Sequence, residues 1–328
     1  MQMVRSQTES MVTLKDIQSA RELLRGVAVR TPLVSCKLPD QKQIFFKPEN
    51  LQPVGSFKLR GAYNKISSLS AEERARGVVA HSSGNHAQGA AYAARALGVR
   101  AVIVMPSNAP EVKLEATRAL GAEIVLVGAA SEDRIQKAEE LEKEHGLVPV
   151  PPYNDEKIIA GQGTIGLEIL EDLNDVAVVL APVGGGGLIS GIATAVKALS
   201  PSTAIVGVEP EGFDDTLKSL QKGERIVQKP TTRSLCDALE SPFCGELTFP
   251  IMLKTVAGMV TVSDHEVTDA MRFAFSTLKL AVEPGGAVAL AALLAGKLET
   301  FGGSTAALVL SGGNVDPDQF AQVIRGEI

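Results

Sequence analysis

The chain has 328 residues, room for two ordinary domains, with 45% hydrophobic and 21% charged residues, as in a soluble globular enzyme. A net charge of −6, no tryptophan and only 4% aromatic residues disfavour both a phosphate-polymer surface and a base-stacking platform. No apolar run is long enough to span a bilayer. In chain order, VVAHSS (78–83) reads as a strand, followed by the helix HAQGAAYAARALG (86–98). VRAVIVMP (99–106) and AEIVLVG (122–128) read as strands, with helices at EVKLEATRALG (111–121) and SEDRIQKAEELEKEHG (131–146). The alternation continues through the helix TIGLEILEDL (164–173), the strand DVAVVLAP (175–182), the helix LISGIATAVKAL (188–199) and the strand TAIVGVEP (203–210). DHEVTDAMRFAFSTLKL (264–280) and AVALAALLAG (287–296) read as helices, and STAALVLSGG (304–313) as a last strand.

Continuous Val/Ile/Leu strands between helices predict a parallel sheet covered on both faces, an α/β doubly wound architecture. The Pro-rich stretch PVPPYND (149–155) is a boundary signal. It predicts a smaller domain over 54–154, with 1–53 and 155–328 joining into a larger one. The polar start MQMVRSQTES lacks a signal-peptide core, and the sparse set Cys36, Cys236 and Cys244 is no disulfide framework. A cytoplasmic location is therefore expected.

In such sheets ligands bind beyond the carboxyl ends of strands. Three loops there carry chemistry. SSGNHAQ (82–88) gathers hydroxyls, an amide and an imidazole at a helix start, where free N–H groups favour a carboxylate or phosphate; a plain N-cap is the alternative. PVGGGGLISG (182–191) has four consecutive glycines before a helix and no Gly-Lys-Ser/Thr, so it suits a small phosphate rather than a nucleoside triphosphate. SGGNVD (311–316) adds a hydroxyl at a strand end. Earlier in the chain, GSFKLRGA (55–62) sets Lys58 between Phe57 and Leu59. A desolvated lysine can condense with an aldehyde. Pyridoxal phosphate offers an aldehyde and a phosphate, so one ligand accounts for Lys58 and for Gly184–Gly187.

The segments ENLQPVGSFKLRGA, SSGNHAQGAA, IAGQGTIGLEI, PVGGGGLISGIA, VEPEGFDD, VEPGGAVALAA and SGGNVD appear in one order along nearly the whole chain. With them the chain resembles the fold type II pyridoxal-phosphate enzymes, specifically the short, catabolic threonine/serine dehydratase and serine racemase group. The resemblance implies two doubly wound domains with the cofactor between them, and a homodimer. It implies that Lys58 binds the aldehyde and serves as acid/base, that Phe57 packs on the ring, and that Gly184, Gly185, Gly186, Gly187 and the Leu188 amide hold the phosphate. It places Asn85 on the ring's 3′ oxygen, Ser311 at the pyridine nitrogen, and the loop Ser82, Ser83, Gly84, Asn85, His86 around the substrate carboxylate. Ser311, a neutral hydroxyl, does not hold a proton on that nitrogen, which favours expulsion of a β-leaving group over storage of a full negative charge. The implied reaction is dehydration of a β-hydroxy amino acid (threonine, serine or 3-hydroxyaspartate) to a 2-oxo acid and ammonia.

Three departures qualify this. Ser83 stands where threonine dehydratases resemble SAGNH; its hydroxyl either binds substrate or, opposite Lys58, makes a second base for racemisation of serine or an aspartate-type amino acid. Arg134 either faces solvent beside Glu132 and Asp133 or pairs with a side-chain carboxylate, which would favour 3-hydroxyaspartate. CDAL (236–239) departs from Ala-Asp-Gly in the same group. In VEPEGFDD, the resemblance implies a structural Mg²⁺ or Ca²⁺ on Glu209, the Phe213 carbonyl and Asp215, oxygen ligands suited to such ions. Glu283, at a helix start, is placed near the cofactor without a catalytic role.

Overall fold

The computed structural model describes residues 12–37, 43–82, 84–109, 111–228, 233–298 and 305–328. Its strands are β1 (Val34–Lys37), β2 (Gln43–Pro48), β3 (Val78–His81), β4 (Ala101–Pro106), β5 (Glu123–Val127), β6 (Val148–Pro149), β7 (Val178–Pro182), β8 (Ala204–Pro210), β9 (Gly258–Val262) and β10 (Thr305–Leu310). Among the described residues they form a six-stranded sheet, β1-β2-β10-β7-β8-β9, and a four-stranded sheet, β5-β4-β3-β6. Every pairing is parallel except β1 with β2, an antiparallel edge that the expected all-parallel pattern omits.

Alternation along the strands splits the larger core into two faces. Phe46, Leu180, Val206, Val208 and Leu308 pack with the helix Pro284–Leu294 on one side. Val179, Ala181, Ile205, Ala307 and Val309 pack with the helix Gly187–Leu199 on the other. Each fully buried Val, Leu, Ile or Phe side chain among them stabilises by about 1.5–3 kcal/mol. A separate core of Val78, Ala80, Ile103, Met105 and Ala90 serves the smaller sheet.

The helix expected at 164–173 is longer, Glu156–Asp172. Its glycines look like breakers but mark close helix crossings. A β-carbon on Gly161 would lie 2.6 Å from the Arg60 carbonyl oxygen, and one on Gly191, in the crossing helix Gly187–Leu199, would lie 2.3 Å from that of Ile159. The helix expected over 264–280 stops at Phe273, continues as a π turn over Ala274–Leu278, and ends at Lys279 with φ 60°.

Topology brings the three loops together. β7 and β10 are parallel neighbours, so their carboxyl ends, Pro182 and Leu310, deliver the glycine loop and Ser311 side by side. The segment before Lys58 is stitched to the same place: Phe57 N–H donates to the Ser311 carbonyl at 3.1 Å, and Gly313 N–H donates to that of Gly55 at 2.9 Å.

Candidate active site

A cavity of about 380 Å³ opens between the two sheets. Its wall includes Phe57, Lys58, Ser82, Gly84, Asn85, His86, Gly184, Gly186, Gly187, Leu188 and Ser311, and also Arg134. The candidate residues thus converge from five distant segments. Ser83 lies outside the described residues, as do the first eleven residues on which the reading of the chain's start rests.

Lys58 opens the helix Lys58–Ser67, half-buried on the cavity floor. Its Nζ donates to the Pro152 carbonyl oxygen at 2.7 Å and sits 5.2 Å from the centre of the Phe57 ring. Burial pulls its pKa down to about 8, against the opposing charge of Glu283. Near neutral pH about a tenth of the amine is therefore neutral, far more than for an ordinary lysine, and this neutral fraction is what a nucleophile or base requires. Gly89 lets the helix Asn85–Ala96 pass close by, since a β-carbon there would lie 3.0 Å from the Lys58 carbonyl carbon.

Among the helix starts that open on the cavity without side-chain caps, two follow a glycine. They belong to Asn85–Ala96, preceded by Gly84, and Gly187–Leu199, preceded by Gly186. Elsewhere Thr13, Ser70, Asp155, Ser263 and Asp316 cap helices with their side chains. Uncapped starts leave N–H donors and partial positive charge for an anion. One cavity with two such starts is suited to a ligand pair carrying two anionic groups.

The glycines of the second loop are required by close approach. Gly186 has φ 88°. A β-carbon on Gly185 would lie 2.3 Å from the Tyr153 ring, and one on Gly187 would lie 2.8 Å from Tyr153 Cβ. The loop is pinned from behind, where Thr248 Oγ1 donates to the Gly185 carbonyl oxygen at 2.7 Å.

His86 is buried, with Nε2 2.7 Å from the Val150 carbonyl oxygen. Burial, with the charge of Lys58, lowers its pKa to about 3, so the ring is neutral and Nε2–H is the donor. Asn85 and Ser311 are buried as well. Arg134 lies on the cavity wall, partly buried, and Nη1 donates to the Ala129 carbonyl oxygen at 3.3 Å. Burial lowers its pKa, against the charges of neighbouring Glu132 and Asp133, so the residue is part solvated and part on the cavity wall.

Several site residues escaped the sequence reading. Pro152 and Tyr153 belong to PPYND, which was legible only as a boundary, although an aromatic between prolines and a helix cap is a signal for a fixed loop. Lys113 reaches from the helix Glu111–Ala119 to Asp237 at 2.8 Å, across the cavity wall. Glu283, which the resemblance had already placed near the cofactor, is buried in this wall; burial, then the charge of Asp237, pushes its pKa up to about 7.

Residues 24–312 match the family model described as pyridoxal-phosphate dependent enzyme. The chain belongs to this family. It is 46% identical over 320 residues to the L-threonine ammonia-lyase of Thermotoga maritima, covering 96% of this chain and 79% of that one. It is 42% identical over 314 residues to the L-threo-3-hydroxyaspartate ammonia-lyase of a Pseudomonas species, covering 95% and 98%. Among solved structures, maize serine racemase superposes with a TM-score of 0.90 at 38% identity, covering 96% of this chain and 98% of that one. Family membership accounts for a lysine of lowered basicity set beside a glycine cradle.

The Glu209 and Asp215 carboxylates lie at the start of the helix Asp215–Lys222, away from this cavity's lining. Glu209 accepts from the Thr216 and Leu217 N–H groups at 3.0 and 2.9 Å. Asp215 Oδ2 is buried with no hydrogen-bond partner, and Phe213 is buried beside it in the chain. Among the described residues no cluster of three or more His, Cys, Asp or Glu is arranged for a metal. No described helix is long and apolar enough to cross a membrane.

Proposed function

We propose that the protein is an ammonia-lyase that dehydrates a β-hydroxy amino acid (threonine, serine or 3-hydroxyaspartate) to a 2-oxo acid and ammonia. The observation that carries this reading is the Lys58 amine, lowered to about 8 by burial, in a cavity walled by a glycine cradle and an uncapped helix start. Relatives over 40% identical across almost the whole chain carry ammonia-lyase names, which supports the reaction class.

The residues fit the cofactor: a loop of glycines packed too closely for side chains, and uncapped N–H donors at the helix start that follows it. Gly184, Gly185, Gly186, Gly187 and the Leu188 amide would hold its phosphate, Phe57 its ring, Asn85 its ring oxygen and Ser311 its ring nitrogen. When bound, it supplies an aldehyde for the substrate's amino group and an electron-withdrawing ring that acidifies the α-carbon. Lys58 would anchor the group through Nζ and would take the substrate's α-proton at that atom. Ser82, Ser83, Gly84, Asn85 and His86 bind the substrate carboxylate at the uncapped helix start. His86, neutral, orients rather than titrates. Ser311 is neutral too and leaves the ring nitrogen without a fixed proton, which suits departure of a β-hydroxyl.

Arg134 is the specificity residue of this reading. A guanidinium on the cavity wall is placed to pair with a second substrate carboxylate, favouring 3-hydroxyaspartate. The 3-hydroxyaspartate ammonia-lyase relative supports it. A second reading, racemisation with Lys58 and Ser83 as opposed bases, rests on the likeness to maize serine racemase and on the hydroxyl that Ser83 offers.

Glu209, the Phe213 carbonyl and Asp215 would hold a structural Mg²⁺ or Ca²⁺; the partnerless buried Asp215 oxygen and the crowding of two carboxylates fit a cation there. Two sheets with separate cores support a smaller domain over 54–154. A cytoplasmic homodimer is the setting proposed, and a Cys36, Cys236 and Cys244 set outside any disulfide is compatible with it.

The test is a substrate panel on cofactor-loaded protein with Mg²⁺: both enantiomers of serine and threonine and all four 3-hydroxyaspartates. Release of 2-oxo acid supports the lyase and names the substrate. Inverted amino acid with little oxo acid makes the protein a racemase, and no turnover with any member refutes both.

A further inference from the structure

The carboxamide of Asn85 is held by a chain of partners that leaves it one orientation. The Val54 carbonyl oxygen can only accept. Asn314 Nδ2 donates to it at 2.8 Å, so the amide nitrogen of Asn314, not its oxygen, faces this corner. The same Nδ2 donates to Asn85 Oδ1 at 2.7 Å. The oxygen of Asn85 is thereby spent on Asn314, and its nitrogen is turned toward Glu283 Oε1 at 2.5 Å.

Glycines make room for this arrangement. A β-carbon on Gly55 would lie 2.3 Å from Asn314 Oδ1, and one on Gly312 would lie 2.3 Å from Glu283 Oε1. Glu283 is itself anchored, its N–H donating to the Gly312 carbonyl oxygen at 3.1 Å. An amide nitrogen carries two N–H groups. Glu283 takes one from Asn85; among the described residues no other acceptor takes the second, and Asn85 lines the cavity.

We propose that Glu283 and Asn314 are positioning residues that fix Asn85 so that it presents an N–H, and never its C=O, to the ring oxygen of the cofactor. This rests on the placement of Asn85 at that oxygen in the reading above. A donor favours the deprotonated oxygen, whereas a carbonyl there would demand an O–H. Neither residue touches the reacting carbon; both act through Asn85.

The experiment uses apo-protein titrated with pyridoxal phosphate, with no substrate present. It compares wild type, Glu283→Gln, Asn314→Asp and Asn85→Ala. Glutamine can offer either end to Asn85, and aspartate at 314 can donate to neither Val54 nor Asn85. Both should weaken cofactor binding about tenfold, the scale of one hydrogen bond. Both should also shift the bound cofactor's absorption to shorter wavelength, toward that of Asn85→Ala, as its oxygen gains a proton. A purely structural role would lower affinity without moving the spectrum. The wild-type spectrum in the Glu283 and Asn314 variants overturns the proposal, and so does the wild-type spectrum in Asn85→Ala, which also removes Asn85 from the ring oxygen. Asn314→Ala replaces Asn314→Asp if the aspartate variant does not fold. Because no turnover enters, the outcome is independent of whether the protein proves to be a lyase.

Discussion

Lys58 Nζ donates to the backbone carbonyl oxygen of Pro152, 94 positions away in sequence, at 2.7 Å. A carbonyl accepts from an ammonium or from a neutral amine, so it holds the side chain in place without forcing either state. Burial then tilts the balance and brings the pKa to about 8. Only the neutral amine attacks an aldehyde. The rate at which apo-protein takes up pyridoxal phosphate should therefore rise with pH through a midpoint near 8, well below that of an ordinary lysine. Stopped-flow absorbance across a pH series measures it; a rate still climbing past pH 10 would show that burial has not lowered this amine. Lys58→Ala should lose the visible absorption and reduce turnover by at least about 10²–10⁴-fold, the contribution of a general base.

Gly185 faces the Tyr153 ring so closely that a methyl group has no space. Gly185→Ala should push the loop off its place above the helix start and cost about 1–3 kcal/mol of stability through overpacking. Cofactor affinity should fall by tenfold or more, read by titration, with a lower Tm in the apo-protein. Gly184→Ala, whose β-carbon would meet the Leu239 Cα at 3.3 Å, should be the milder change. Equal losses in the two variants would mean that backbone freedom, and not the Tyr153 contact, is what position 185 requires.

Much of this was legible from local chemistry. β3, β4, β7, β8 and β10 announce themselves as runs of branched aliphatics, and the loops after β3, β7 and β10 carry the glycines and polar residues that a site needs. What was not legible depends on contacts between distant segments. β1 is four residues long and joins the sheet only through β2. The first half of the helix Glu156–Asp172 is hidden because Gly161 and Gly163 cost helix propensity, a cost outweighed once neighbouring helices pack onto them. Asn314 and Glu283 lie 229 and 198 positions from Asn85, so no spacing rule links them. Arg134 resembles its acidic neighbours on a charged helix, and only the approach of that helix to β3 puts it on the cavity wall.

Arg134 carries a prediction of selectivity. Arg134→Gln removes the charge and keeps much of the length. The KM for 3-hydroxyaspartate should rise about tenfold to a hundredfold, the scale of a charge-assisted hydrogen bond, while that for threonine should change by less than about threefold. Parallel steady-state kinetics on the two substrates measures the ratio. Equal effects on both would place Arg134 in the framework of the cavity rather than in recognition of the substrate side chain.

Two residues after Lys58, Arg60 sets a different expectation. It is 1% exposed, and its guanidinium is saturated: Nε and Nη2 reach Glu49 at 2.8 Å each, Nη1 reaches Glu168 at 2.6 Å, and Nη2 also reaches the Val29 carbonyl oxygen at 3.2 Å. Lys47, fully buried, adds a second cation to Glu168 at 2.6 Å. The network ties β2 and the helix Lys58–Ser67 to the helix Glu156–Asp172, and neither Arg60 nor Lys47 lines the cavity. Removing one member strands a buried charge, which costs more than the ion pair itself contributes. Arg60→Leu should therefore destabilise the protein by about 3–5 kcal/mol in urea unfolding. Glu49→Gln should cost less, because the amide oxygen still accepts from Arg60. Below the unfolding transition the Arg60 variant should keep the visible absorption of bound cofactor. Loss of that absorption from folded protein would mean that the network also sets the position of Lys58, one helical turn's start away from Arg60.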